Sequence, residues 1–204
     1  MFSLLLLSAC KSGSEFDETG GIKIVRSSCP AVAIPTYTGD VTLFNPSSSR
    51  DASAIDVVAT ITNVRTTCTP SGDKINATAT FDVLGRRNSA SGPRDVVLPF
   101  FATVTRGGTQ IQSKQIGRIA LHFDDGQLRA QSNSTASASI AAADATLPPA
   151  VEAKLNRKRK AGDADAAVDP MTDPATRTAV LQASFELLIG FELSSDQLAY
   201  NATR

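Results

Sequence analysis

The sequence predicts a mainly β protein, with about seven antiparallel strands packed as a two-sheet sandwich and one inserted helix. Three observations lead there. Several runs alternate apolar and polar residues with period two, the signature of strands with one face on a core and the other in water. Short turn sequences rich in Gly, Pro and Asp separate those runs. Helical spacing is confined to a stretch near residues 148–161 and to the last few residues.

Gly21-Ile22-Lys23-Ile24-Val25 and Asp40-Val41-Thr42-Leu43-Phe44 are short strand candidates. Along 54–65, Ile55, Val57, Ala59 and Ile61 share one face. Along 74–84, Ile75, Ala77, Ala79, Phe81 and Val83 face one way, and Asn76, Thr78, Thr80 and Asp82 the other. Residues 95–106 carry Val97 and Phe101 on one face and Leu98, Phe100 and Val104 on the other, so cover on both sides is expected. Pro99 within this run points to an edge or a bulge. Ile119, Leu121 and Phe123 turn inward along 109–123, as do Ala136, Ala138 and Ile140 along 128–140. The longest alternation is 177–193, with Leu181, Ala183, Phe185, Leu187, Ile189, Phe191 and Leu193 on one face.

Turns are expected at Thr69-Pro70-Ser71-Gly72-Asp73, at a two-residue Gly107-Gly108 hairpin, and at Asp124-Asp125-Gly126, whose glycine supplies a positive φ. Residues 85–94 read as a longer, basic, mobile loop. The inserted helix opens at Leu147-Pro148-Pro149-Ala150, since Pro is tolerated in a first turn. Leu147, Val151 and Leu155 form its apolar stripe. Lys154, Arg157, Lys158, Arg159 and Lys160 lie towards its C-terminus, where cations suit the helix dipole. Ser194-Ser195-Asp196-Gln197 reads as the capped start of a short terminal helix. In strand pattern alone the chain resembles an immunoglobulin or fibronectin-III sandwich. Trp is absent, however, and the cysteines sit early in the chain. A closed antiparallel barrel is the alternative.

The N-terminus carries a different signal. Seven of the first nine residues of Met1-Phe2-Ser3-Leu4-Leu5-Leu6-Leu7-Ser8-Ala9 are apolar, and Cys10 ends the run before Lys11-Ser12-Gly13-Ser14-Glu15. A transmembrane helix needs about 20 apolar residues, so this run is too short to span. A short apolar segment followed by small residues fits a secretory signal. Leu7-Ser8-Ala9-Cys10 resembles the lipobox of Gram-negative bacterial lipoproteins. No Lys or Arg precedes Cys10, a departure from the basic opening usual in such signals. The resemblance implies cleavage before Cys10 and lipidation of its thiol, leaving 1–9 as a signal remnant. Residues 10–21, polar and Gly-containing, become a lipidated tether, and 22–204 a single domain. In the sorting rule of these lipoproteins an Asp after the cysteine favours the inner membrane. Lys11 therefore implies an outer-membrane anchor facing the periplasm, and a membrane held through N-terminal lipid.

Twenty basic residues balance twenty acidic ones, so nothing in the charge points to nucleic acid. With Cys10 lipidated, Cys29 and Cys68 remain of the three cysteines. In an oxidising compartment an even remainder reads as a disulfide.

The candidate chemistries are thin. His122 is the sole histidine, and a zinc site needs three or four ligands. Asp124-Asp125 lacks the spaced oxygen ligands of a calcium loop. Asp163, Asp165, Asp169 and Asp173 are better spaced, but they follow a basic run that would pair with them. No G-x-S-x-G, P-loop or dinucleotide fingerprint appears. No catalytic, metal or cofactor-binding residue is assigned, and no cofactor is expected. Arg157, Lys158, Arg159 and Lys160 are candidates for contact with lipid headgroup phosphates. The resemblance extends to no motif inside the folded part and implies no activity. The expectation is a non-catalytic interaction module whose partner is another envelope protein. A carrier of a small hydrophobic ligand or lipid and a hydrolase acting through His122 or the acidic residues are the alternatives.

Overall fold

The computed structural model describes residues 27–157, 162–164 and 167–203. Along the described chain run β1 (Ala31–Ala33), β2 (Asp40–Phe44), β3 (Ile55–Ser71), β4 (Lys74–Arg87), β5 (Arg94–Arg106), β6 (Gln110–Phe123) and β7 (Arg129–Ala141). Helices α1 (Pro149–Leu155) and α2 (Pro174–Gln182), strand β8 (Phe185–Phe191) and helix α3 (Ser195–Thr203) complete it. The strands form two four-stranded sheets, β1-β8-β5-β6 and β2-β3-β4-β7, rather than one closed sheet. Pairing is antiparallel throughout except for β1, which lies parallel on β8.

The two sheets share one core, and alternation decides which residues enter it. Val57, Ala59 and Ile61 of β3 and Ile75, Ala77, Ala79, Phe81 and Val83 of β4 are buried, as the period-two pattern predicts. Leu98 and Phe100 of β5, Leu121 and Phe123 of β6, and Leu187 and Ile189 of β8 oppose them. Phe81 meets Phe100 edge-on across the sheets, with ring centroids 5.3 Å apart. Each such aromatic or branched side chain contributes about 1.5–3 kcal/mol when fully buried. The sheets approach closely at Gly85, where an added Cβ would stand 2.5 Å from Leu121 Cδ1. Any larger residue there would have to displace the buried Leu121 side chain.

Several expectations are corrected. Residues 177–184 are not strand. Asp173 caps α2 by accepting from the Thr176 N–H and hydroxyl, Pro174 occupies the first turn, and the helix runs to Gln182 before β8 begins. The alternation upstream of Phe185 is coincidental, and the Asp-Pro start signal decides the structure. The helix predicted near 148–161 is described as α1 over Pro149–Leu155, with residues 158–161 outside the described part. Among the described residues, three α-helices and eight strands stand where one inserted helix, a short terminal helix and about seven strands are expected from the sequence. The candidate strand 21–25 also lies outside the described residues.

The returns differ too. Pro70 is still in β3, opposite Ile75, so the turn is confined to Gly72-Asp73. Arg106 pairs with Gln110, giving a three-residue loop with Gly107 and Gly108 both at positive φ. The links 88–93 and 124–128 each cross from one sheet to the other, so β4 through β7 are not a continuous meander. Strand β5 is covered on both faces only from Ala102 to Thr105, and Val97 is 56% exposed. Pro99 sits one residue beyond the last β5–β8 pair, Phe100 with Phe191, and its carbonyl accepts from Glu192 N.

Candidate functional site

Cys29 and Cys68 form a disulfide, with Cα atoms 6.1 Å apart. It fastens the segment leading into β1 to the far half of β3, beside Ala77 of β4. Both half-cystines pack against the shared core. Cys10 lies outside the described residues, as do Lys158, Arg159 and Lys160. Arg157 is described and exposed, just beyond α1.

His122 stands on the outer face of β6, as alternation predicts, and its side chain is 59% exposed. Its Nδ1 lies 2.7 Å from Asp95 Oδ1 on the paired residue of β5, and its Nε2 lies 3.4 Å from Asp124 Oδ1. The hydrogen bond with Asp95, followed by the charge of that carboxylate, raises the imidazole pKa above its ordinary value. A hydrolytic triad turns one ring nitrogen towards a carboxylate and the other towards a nucleophile. Here both nitrogens face carboxylates, which suits a protonated imidazole donating on each side.

Two members of the acidic run after α1, Asp169 and Asp173, are taken up by structure. Asp169 accepts from Met171 N and caps a short 3₁₀ turn. Asp173 caps α2 and also pairs with Lys154 Nζ at 2.6 Å. These contacts, the Lys154 hydrogen bond foremost, hold its carboxyl well below the usual range. Asp165 lies outside the described residues. Among the described residues no cluster of His, Cys, Asp and Glu is arranged to hold a metal ion.

Sequence reasoning misses Arg87. The segment that reads as a mobile loop is organised by this side chain, which is only 2% exposed. Its guanidinium donates to the carbonyls of Gln127, Gly92, Ala90 and Asp124 at 2.7–2.9 Å. It also lies 5.4 Å from the centroid of the Phe123 ring. Asp125 Oδ1 accepts from Gly92 N, tying the same two crossing loops together. Strand parity is the available signal, because Val83, Gly85 and Arg87 continue one inward row.

The outer face of β5 and β6 carries exposed apolar side chains, Val97 and Ile116, the latter paired with Phe101. Arg118 stands exposed between them, opposite Pro99. Strand β6 is the terminal strand of its sheet. Two clefts open on the surface. One of about 280 Å³ lies beside Cys29 and Phe185, and another of about 480 Å³ lies between Arg50 and Tyr200. No helix among the described residues is long and apolar enough to cross a membrane.

No protein-family model matches the chain, and comparison with curated proteins and with solved structures returned no match.

Proposed function

We propose that this chain is an outer-membrane-anchored periplasmic lipoprotein acting as a non-catalytic protein-interaction module of the cell envelope. The observation that carries the reading is the Cys29–Cys68 bridge. It uses two of the three cysteines and leaves Cys10, at the end of the lipobox-like Leu7-Ser8-Ala9-Cys10, as the odd one. A structural disulfide belongs to an oxidising compartment, and a lipobox belongs to the same one. The interaction reading draws on the outer face of β5 and β6. Val97 and Ile116 offer exposed apolar contact beside the half-buried Phe101, and Arg118 between them calls for a carboxylate. The fitting partner is therefore an envelope protein presenting apolar side chains around an acidic residue.

The kinship with immunoglobulin or fibronectin-III sandwiches goes no further than two facing sheets with inward and outward alternation. The order differs, because β2, β3 and β4 are consecutive neighbours in one sheet, whereas the immunoglobulin constant order sends its third strand to the opposite sheet. The carrier reading gains no support from an interior filled by Phe81, Phe100, Leu121 and their neighbours.

Photo-crosslinking from residue 116 in intact cells tests the interaction. A discrete adduct is expected with the lipidated chain, and it should be lost in Cys10→Ala and reduced in Arg118→Glu. An adduct pattern no different from one placed at Thr78, on the other sheet, would contradict it.

A further inference from the structure

We propose that Arg86 and Arg129 form a clamp for a phosphate monoester on the outer face of the second sheet. The two residues are direct cross-strand partners in β4 and β7. Their neighbour Arg87 is turned into the core, so both guanidiniums project outward, and both residues are exposed. Directly opposed residues on one face have Cβ atoms about 5 Å apart, and like charges in that position are destabilising. Among the described residues neither arginine pairs with a carboxylate. The nearest diagonal acid is Asp56, two residues before Val58, which pairs with Arg86 on its other side. Both Asp56 oxygens are occupied by Arg94, at 2.7 and 2.6 Å. The clamp is thus an opposed pair of cations whose local counter-charge is committed elsewhere.

The chemistry of the pair selects the ligand. Each guanidinium presents a planar fork of donors suited to two oxygens at once. A phosphate monoester carries about −1.5 to −2 charge near neutral pH and offers three acceptor oxygens, matching two forks and two positive charges. A single carboxylate would leave one charge unmatched. Gln131, exposed in the next rank opposite Leu84, sets a side-chain amide diagonal to Arg86 as a further donor. The clamp lies about 30 Å along β4 from Ala77, the partner of Cys68, and so at the far end from the bridge that ties in the N-terminal segment. The source proposed is a soluble phosphate monoester, and the vesicle arm of the test below separates it from a lipid headgroup. The assignment of the clamp does not depend on the envelope reading, and either stands if the other fails.

Calorimetric titration of the full chain with phenyl phosphate, paired with thermal unfolding, tests it. Saturable one-to-one binding is expected, with a rise in Tm on addition. Arg86→Gln and Arg129→Gln should each weaken binding by about tenfold or more, the effect of losing one charge-assisted fork. Arg177→Gln, which removes a positive charge on α2, should leave it within about twofold. Without ligand, Arg129→Gln should melt at or above the parent temperature, since it relieves the opposed charges. Three results would overturn the proposal: no saturable binding, equal weakening in Arg177→Gln, or retention on phosphatidic acid vesicles without any response to phenyl phosphate.

Discussion

Arg87 and His122 are polar residues of opposite kinds. Arg87 is enclosed and meets four backbone carbonyls, each of which would otherwise be left without this donor near the core. A hydrogen bond to a charged group contributes about 1.5–3 kcal/mol. Arg87→Met should therefore lower the unfolding free energy by roughly 3 kcal/mol or more, read from urea denaturation, and should loosen residues 88–93 in amide exchange. His122 is exposed, and as the sole histidine it is a clean NMR probe. Its pKa should lie above 6.5, and Asp95→Asn should bring it down. The stabilising contact is complete below the unfolded value and fades as pH rises through the folded one. A ring that titrates identically in Asp95→Asn would remove the contact. Neither partner set is legible in the sequence. Parity places Arg87 inward and His122 outward, but the carbonyls of Gln127 and Asp124 and the carboxylate of Asp95 come from segments distant in sequence, and only folding fixes that register.

At the scale of elements, the strands with clean alternation are the legible ones. β3, β4 and β7 carry their inward residues where period two puts them, because one face is core and the other is water. The region before β8 misleads because apolar residues at odd positions fit a strand even while Asp173-Pro174 starts a helix. The terminal helix is legible from its cap. Ser194 Oγ accepts from Gln197 N, and Gln197 Oε1 accepts from Ser194 N, the reciprocal pair expected from the sequence. The Cys29–Cys68 bridge spans 39 residues and encloses β1 and β2. On the chain-entropy account, replacing both cysteines with serine should cost about 4 kcal/mol in urea unfolding. A loss below about 1 kcal/mol would mean that packing alone holds that segment on β3.

At the scale of the molecule, the sequence indicates two layers but not their wiring. Short returns suggest neighbouring strands, yet the links after β4 and β6 each change sheets, and no local residue pattern distinguishes a return from a crossing of that length. The crossing loops gather at one end, fixed by Arg87 and Asp125, while the disulfide secures the other end of β3 and β4. This arrangement puts the mixed outer face of β5 and β6, with Val97, Ile116 and Arg118, on a rigid support, which is what the proposed docking surface requires. The proposed role depends on where the chain is held. The most direct measurement is the mass of the mature N-terminal peptide from cells fed an alkynyl fatty acid. The account predicts a peptide beginning at Cys10 and carrying acyl chains, with labelling abolished in Cys10→Ala. An unlabelled chain that still contains residues 1–9, or labelling that survives Cys10→Ala, would contradict it.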